Sequence, residues 1–275
     1  MKQFFCLIAA AATALCAQAF KTDTITVTSK KYLAEPMKVT VITPDSKNSD
    51  DQFPSLYLLN GHGGDYRAWG NIRKDLGEYA DRYGMIMVMP SGMDSWYWDS
   101  PRNDGMQMES FITEILVPHI DNTYPTIQDR NKRAIMGLSM GGHGALYLAG
   151  RHSNMFGAAG STSGGLDIRP FAKRWGMDKH LGDYEQNKEI WNQHTVARMA
   201  GKFRNANIAL IIDCGTDDFF AKVNDMFHHS LQSLGVPHDY ITRPGNHSQK
   251  YWANSLLYQL VFFNEFFNKP VQSNK

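Results

Sequence analysis

Cysteine is scarce in this 275-residue chain, with only Cys6, Cys16 and Cys214, and two of the three fall inside an apolar N-terminal leader. Once that leader is removed, no disulfide can form within the chain, which excludes a small disulfide-stapled scaffold. Cys214 ends the apolar run Ile208-Ala209-Leu210-Ile211-Ile212-Asp213 and reads as a buried, inert thiol. Charge of one sign is also lacking. Lys and Arg number 28 against 27 Asp and Glu, and removing Lys2 with the leader evens them. No Lys/Arg run concentrates charge locally, so neither nucleic acid nor an anionic membrane surface is indicated as a partner. After the leader there is no apolar run long enough to span a bilayer, and there is no repeat, linker or low-complexity segment.

The leader combines Lys2, an alanine-rich apolar core and an Ala17-Gln18-Ala19 site before Phe20. These are the parts of a secretory signal peptide. Leu15 directly before Cys16 fits lipoprotein processing poorly, so a soluble secreted or periplasmic protein is expected. The expected organisation is a signal peptide over 1–19 and one domain over 20–275. At 43% apolar residues, such a chain can bury a full core.

Two alternating stretches between 24 and 43 read as half-exposed antiparallel strands. Buried-strand runs follow at Pro54-Ser55-Leu56-Tyr57-Leu58-Leu59, Met85-Ile86-Met87-Val88-Met89, Ala134-Ile135-Met136, 156–163, 207–214 and 239–243. Helical spacing separates them, as at Trp69, Ile72, Leu76 and Tyr79, or at Met108, Phe111, Ile112, Ile115, Leu116 and Ile120, with Pro118 near a kink or the helix end. Strand and helix in alternation mean an α/β fold: a mostly parallel central sheet with helices on both faces and an antiparallel N-terminal edge. Helices are expected over 219–234 and at the C-terminus, with 268–275 frayed. The stretch 166–187 has no clear period but carries Phe171, Arg174, Trp175, His180 and Tyr184, which makes it the candidate cap over a pocket.

Gly137-Leu138-Ser139-Met140-Gly141 is the stretch around which the rest is organised. It fits the nucleophile-elbow pattern, in which a serine on a sharp strand-to-helix turn holds its hydroxyl clear of the sheet, and the outer glycines leave room for the turn. Five residues of this kind are weak evidence alone, but a strand precedes them and the small residues of 142–149 follow. A serine hydroxyl needs a base, and the base needs a carboxylate to orient it. Gly215-Thr216-Asp217-Asp218 and Pro244-Gly245-Asn246-His247 each follow a strand, in the chain order Ser, acid, His of α/β-hydrolases. Position does not separate Asp217 from Asp218. Among the ten histidines, His247 alone has both the position and a flexible flank. His119, His152, His180, His194, His228, His229 and His238 read as solvated, and His143, within the elbow helix, reads mainly as a packing residue. Two backbone N–H donors must hold the oxyanion: Met140 supplies one, and His62 of Gly61-His62-Gly63-Gly64 the other, in preference to Gly63. Trp96-Tyr97-Trp98 serves equally as core anchors or as a ligand wall. Trp96, Trp98 and, from the cap, Trp175 are the candidate substrate-binding residues.

At these residues the chain resembles the esterase D family of α/β-hydrolases, which includes S-formylglutathione hydrolases, feruloyl and acetyl esterases and mycolyltransferases. The matching stretches are 56–69, Ser95-Trp96-Tyr97, 109–124, 133–149, 161–165, 214–219 and 245–252. The resemblance implies Ser139 as nucleophile, His247 as base and Asp218, from the Gly-Thr-acidic-Asp-Phe pattern, as the acid. It departs from the family at Asn60, where relatives usually have histidine, and at Asn246-His247-Ser248, where many have Gly-His-Asp. It implies a serine carboxylesterase needing no metal or organic cofactor. Export argues against a cytoplasmic glutathione thioester and favours feruloyl or acetyl esters of plant polysaccharides. An acyltransferase with the same triad and a non-catalytic carbohydrate-binding module are the alternatives.

Overall fold

In the computed structural model, residues 20–46 and 48–269 are described; the expected signal peptide over 1–19 and most of the expected frayed tail lie outside them. Eight strands form one sheet: β1 (Lys21–Val27), β2 (Met37–Thr43), β3 (Ser55–Leu59), β4 (Ile86–Pro90), β5 (Arg133–Leu138), β6 (Ala158–Thr162), β7 (Ala209–Gly215) and β8 (Asp239–Arg243), in the order β1-β2-β4-β3-β5-β6-β7-β8. β1–β2 and β2–β4 are antiparallel, and every other pair is parallel. This is the expected sheet with its antiparallel N-terminal edge, and the fold is that of an α/β-hydrolase.

The central strands read as unbroken apolar runs because both of their faces are buried. In β3, Tyr57 and Leu59 join one core, whereas Leu56 and Leu58 join the other, as the two-residue period of a strand requires. α1 (Ala68–Ile72) and α2 (Leu76–Tyr83) contribute Trp69, Leu76 and Ala80 to the second core. α3 (Met108–Ser110) and α4 (Val117–Thr123) belong to the first and are joined by a π-helical segment, Phe111–Leu116. The ladder widens just ahead of Pro118, which has no N–H to donate to the carbonyl four residues back. α5 (Met140–Arg151) is the elbow helix, buried along Met140 to Ala149.

The stretch 166–187 contains a 3-10 turn at Arg169–Phe171 and the short α6 (Met177–Leu181), and is followed by α7 (Lys188–Gln193) and α8 (Ala200–Ala206). α9 (Ala221–Ser233) and α10 (Gln249–Asn268) complete the chain. α10 lays Leu256, Leu260, Phe263 and Phe267 on the second core. Asn268, expected in a frayed tail, is still helical, because the apolar face carried by Phe263 and Phe267 continues to the helix end. No helix among the described residues is long and apolar enough to cross a membrane.

Candidate active site

The carboxyl ends of β3, β5, β7 and β8 converge, which is where open α/β sheets place their sites. At the end of β5 the chain reverses into α5 through Ser139, whose φ of 55° and ψ of −118° are strained for a residue with a side chain. The strain is held by neighbours. Ser139 N–H donates to the Thr162 carbonyl of β6 at 3.0 Å. The glycines two places either side of Ser139 are obligatory: a Cβ on Gly137 would lie 2.3 Å from the Gly141 backbone, and one on Gly141 2.3 Å from the Leu59 carbonyl oxygen.

The structure brings the three expected side chains together from three loops. Ser139 Oγ lies 2.9 Å from His247 Nε2, and His247 Nδ1 lies 2.9 Å and 3.1 Å from the two Asp218 carboxylate oxygens. Asp218 has no exposed side-chain surface, and one of its oxygens also accepts the Phe220 N–H at 2.8 Å. A carboxylate placed so holds the ring with its proton on Nδ1, leaving Nε2 free to accept the serine proton. Asp217 is exposed. The two loops are zipped together by Asp217 N–H donating to the Gly245 carbonyl at 2.9 Å and Thr216 N–H to the Arg243 carbonyl at 2.9 Å. Ser248, directly after the histidine, caps α10 by accepting the Tyr251 N–H, which ends the loop where the departure from Gly-His-Asp lies.

The glycine turn after β3 is built on Asn60. This buried side chain accepts the Gly92 N–H at 2.9 Å and donates to the Gly61 carbonyl at 2.7 Å, while Tyr97 Oη donates to its carbonyl at 3.1 Å. Gly63 N–H is committed to the Met93 carbonyl at 2.6 Å and Gly64 N–H to Gly61 at 3.0 Å. No described acceptor takes the N–H of His62 or of Met140. These are the two donors expected for the oxyanion, and the N–H of Gly63, the alternative to His62, is already committed.

A cavity of about 790 Å³ opens beside Ser139 and His247. Phe171, Arg174 and Trp175 of the expected cap line it, as do Asn71, Phe219, Gln249 and Trp252. His247 is boxed by rings: Phe219 at 4.2 Å, and Trp252 edge-on at 5.0 Å. Trp175 stacks on Phe219 at 6.0 Å, so an aromatic wall runs from the cap to the base.

Of the three candidate substrate-binding tryptophans, Trp175 alone lines this cavity. Trp96 and Trp98 do not. They are 1% and 0% exposed and stack on each other at 5.6 Å, and Trp98 Nε1–H donates to His143 Nε2 at 3.0 Å. Trp96 and Tyr97 take left-handed backbone angles, φ 52° and 63°, which turn the loop inward and make its rings core anchors. His143 is fully buried and its Nδ1 contacts the Gly165 carbonyl at 2.8 Å, a packing role, as expected. His180, expected in solvent, is buried at 5% exposure: its helix packs inward through Met177 and Leu181. Sequence reasoning also missed Phe219 and Trp252 at the site. Phe219 directly follows Asp218, and that adjacency is the signal which could have found it.

A family model described as "Putative esterase" matches residues 30–263. An acetyl esterase of Caldicellulosiruptor saccharolyticus is 26% identical over 228 residues, covering 76% of this chain and 84% of that one. An esterase of Mycobacterium tuberculosis is 26% identical over 241 residues, covering 76% of this chain but 52% of its own length, so the chain spans about half of that relative. Among solved structures, a ferulic acid esterase superposes with a TM-score of 0.76 at 30% identity, covering 90% of this chain and 99% of that one.

Proposed function

The chain belongs to the esterase family described by that model, and from this premise we propose that it hydrolyses carboxylic esters through an acyl-serine on Ser139. Ser139 Oγ attacks the ester carbonyl while His247 Nε2 takes its proton. The tetrahedral oxyanion is held by the N–H groups of His62 and Met140, and the imidazolium faces Asp218. His247 then protonates the departing alcohol, and water, activated by the same imidazole, releases the acid. The observation that carries this reading is the unbroken hydrogen-bonded path Ser139–His247–Asp218 beside two uncommitted backbone donors.

The proposed substrate class is a feruloyl or acetyl ester of a plant polysaccharide, met outside the cytoplasm after the leader directs export. Three things support it: a broad cavity walled by rings that suit an aromatic acid or a sugar face, relatives named acetyl esterase and ferulic acid esterase, and the signal-peptide pattern of 1–19. Release of ferulate and acetate from arabinoxylan by the purified protein tests the reading. Activity on both or either supports it, and activity on neither overturns the substrate class. A Ser139→Ala protein assayed on p-nitrophenyl acetate tests the chemistry. Loss of turnover is expected, whereas unchanged turnover points to a binding module. Acyl product on an added sugar exceeding hydrolysis would instead make the enzyme a transferase.

A further inference from the structure

Three arginines close in sequence to cavity-lining residues, though not on its wall, are each paired with an aspartate two residues away: Arg67 with Asp65, Arg73 with Asp75, and Arg169 with Asp167. Asp65, the carboxylate on the cavity wall, is thereby neutralised. Arg174 is the exception. It lines the cavity, and its guanidinium has no ion pair, hydrogen bond or ring contact with any described residue.

Its placement is built by the backbone. Trp175 adopts φ 53° and Gly176 φ 64°, two left-handed residues in succession, and the first of them carries a side chain that such a backbone disfavours. The turn lets consecutive side chains share a wall, since Arg174 and Trp175 both line the cavity, whereas in extended chain they would point to opposite sides. The turn is fastened at two points. His62 Nε2 lies 3.1 Å from the Trp175 carbonyl, and its N–H donates to that oxygen across 113 residues of chain. The Trp175 ring is held between Trp96 at 5.8 Å and Phe219 at 6.0 Å. The oxyanion turn, the cap and the ring covering the catalytic base are thus one connected unit, and it presents an unpaired cation to the cavity.

We propose that Arg174, held beside Trp175 by His62, forms a subsite for a carboxylate carried by the substrate at a distance from the ester that is cleaved. This rests on the esterase reading and narrows its substrate to acidic esters. The guanidinium fork matches a carboxylate with two parallel hydrogen bonds. A single arginine, with no second Arg or Lys among the described residues lining the cavity, suits one negative charge better than the two of a phosphate monoester. The carboxylate could belong to the alcohol side, as in an acidic sugar, or to the acyl side, as in a half-ester of a dicarboxylic acid.

Two matched pairs of substrates test the proposal and separate these sources. On the alcohol side, acetylated galacturonan with free carboxylates is compared with the same polymer after methyl esterification. On the acyl side, p-nitrophenyl hydrogen adipate is compared with p-nitrophenyl hexanoate. At low ionic strength, kcat/KM is expected to favour the acidic member of one pair about tenfold, or about 1.4 kcal/mol. That preference should shrink in 0.5 M salt, fall below about twofold in Arg174→Gln, and survive in part in Arg174→Lys. The pair that shows it identifies the side bearing the charge. Equal rates within both pairs, or an undiminished preference in Arg174→Gln, overturn the subsite while leaving the esterase reading intact. Failure of the unaltered enzyme on all four overturns the subsite, while its turnover of p-nitrophenyl acetate separately decides the esterase reading.

Discussion

His247 grips Asp218 through Nδ1 at 2.9 Å and 3.1 Å, while Asp217, one residue earlier, faces solvent. The difference arises in the turn after β7, where Asp218 N–H donates back to the Gly215 carbonyl at 3.1 Å and the carboxylate is turned under the imidazole. Asp218→Asn should keep the fold but offer an amide that no longer fixes the imidazole proton on Nδ1 or balances the imidazolium, lowering kcat on the order of 10³- to 10⁴-fold. Asp217→Asn should stay within about twofold. Steady-state kinetics of both on p-nitrophenyl acetate check the pair, and comparable losses would show that the acid has been assigned wrongly.

What could be read in the sequence, and what could not, follows the physics of each residue. Leu56 to Leu59 and Ile86 to Met89 announce buried strands because both faces of the sheet are covered, so no polar alternation interrupts them. Ser139 announces an elbow because a turn that tight excludes side chains at 137 and 141. Asp217 and Asp218 look alike in sequence, since only the turn decides which carboxylate points inward, and only the family resemblance distinguishes them there. Trp96 and Trp98 are ambiguous in sequence for a different reason. Left-handed angles at Trp96 and Tyr97 bury the loop, and non-glycine residues give no warning of such angles. Phe219 opens the helix expected over 219–234, but that helix begins at Ala221 and leaves Phe219 in the loop over His247.

The elbow glycines can be set against a glycine elsewhere in the molecule. Gly141→Ala would drive a Cβ to 2.3 Å from the Leu59 carbonyl oxygen, where only backbone can yield. It should cost roughly 3 kcal/mol or more and disorder the serine. A Cβ on Gly201, in α8, would meet nothing within 4 Å, and Gly201→Ala should gain about 0.5–1 kcal/mol from helix propensity. Urea unfolding midpoints report both. If Gly141→Ala unfolds at the same midpoint as the unaltered protein, the close approach of α5 to β3 is wrong.

Two tryptophans close in sequence number to neither elbow nor base should differ in their effect on activity. Trp175→Ala removes a ring from the cavity wall and should raise KM severalfold for aromatic esters, with a loss of unfolding free energy of about 1–3 kcal/mol for its contacts with Trp96 and Phe219. Trp98→Phe removes the donor to His143 Nε2 and leaves a buried acceptor unpaired, at about 1–3 kcal/mol. KM should change little in this variant. Should Trp98→Phe instead raise KM with unchanged stability, Trp98 belongs to the substrate site after all.

His143 sets a pH dependence of its own. Burial holds its pKa down to about 4, from 6.5 for a free imidazole, against a smaller upward pull from the Gly165 carbonyl. Its bonds explain why the neutral form is kept: Nδ1–H donates to Gly165, and Nε2 accepts from Trp98, so a second proton would set N–H against N–H. Nearby, His194 is also held down by burial and acts in the same direction, while Asp167 pulls His143 slightly up. Above pH 6.5 both folded and unfolded chains carry a neutral His143, and its contribution to stability is fully present. Below 6.5 the unfolded chain takes up a proton that the folded chain refuses, so that contribution is lost as pH falls toward about 4. The full loss is about 3 kcal/mol. Unfolding free energies at pH 7 and pH 5 should therefore differ less in His143→Gln than in the unaltered protein, whatever the variant costs at pH 7. An identical difference in the two proteins would mean that His143 is charged, or free to become so, in the folded state.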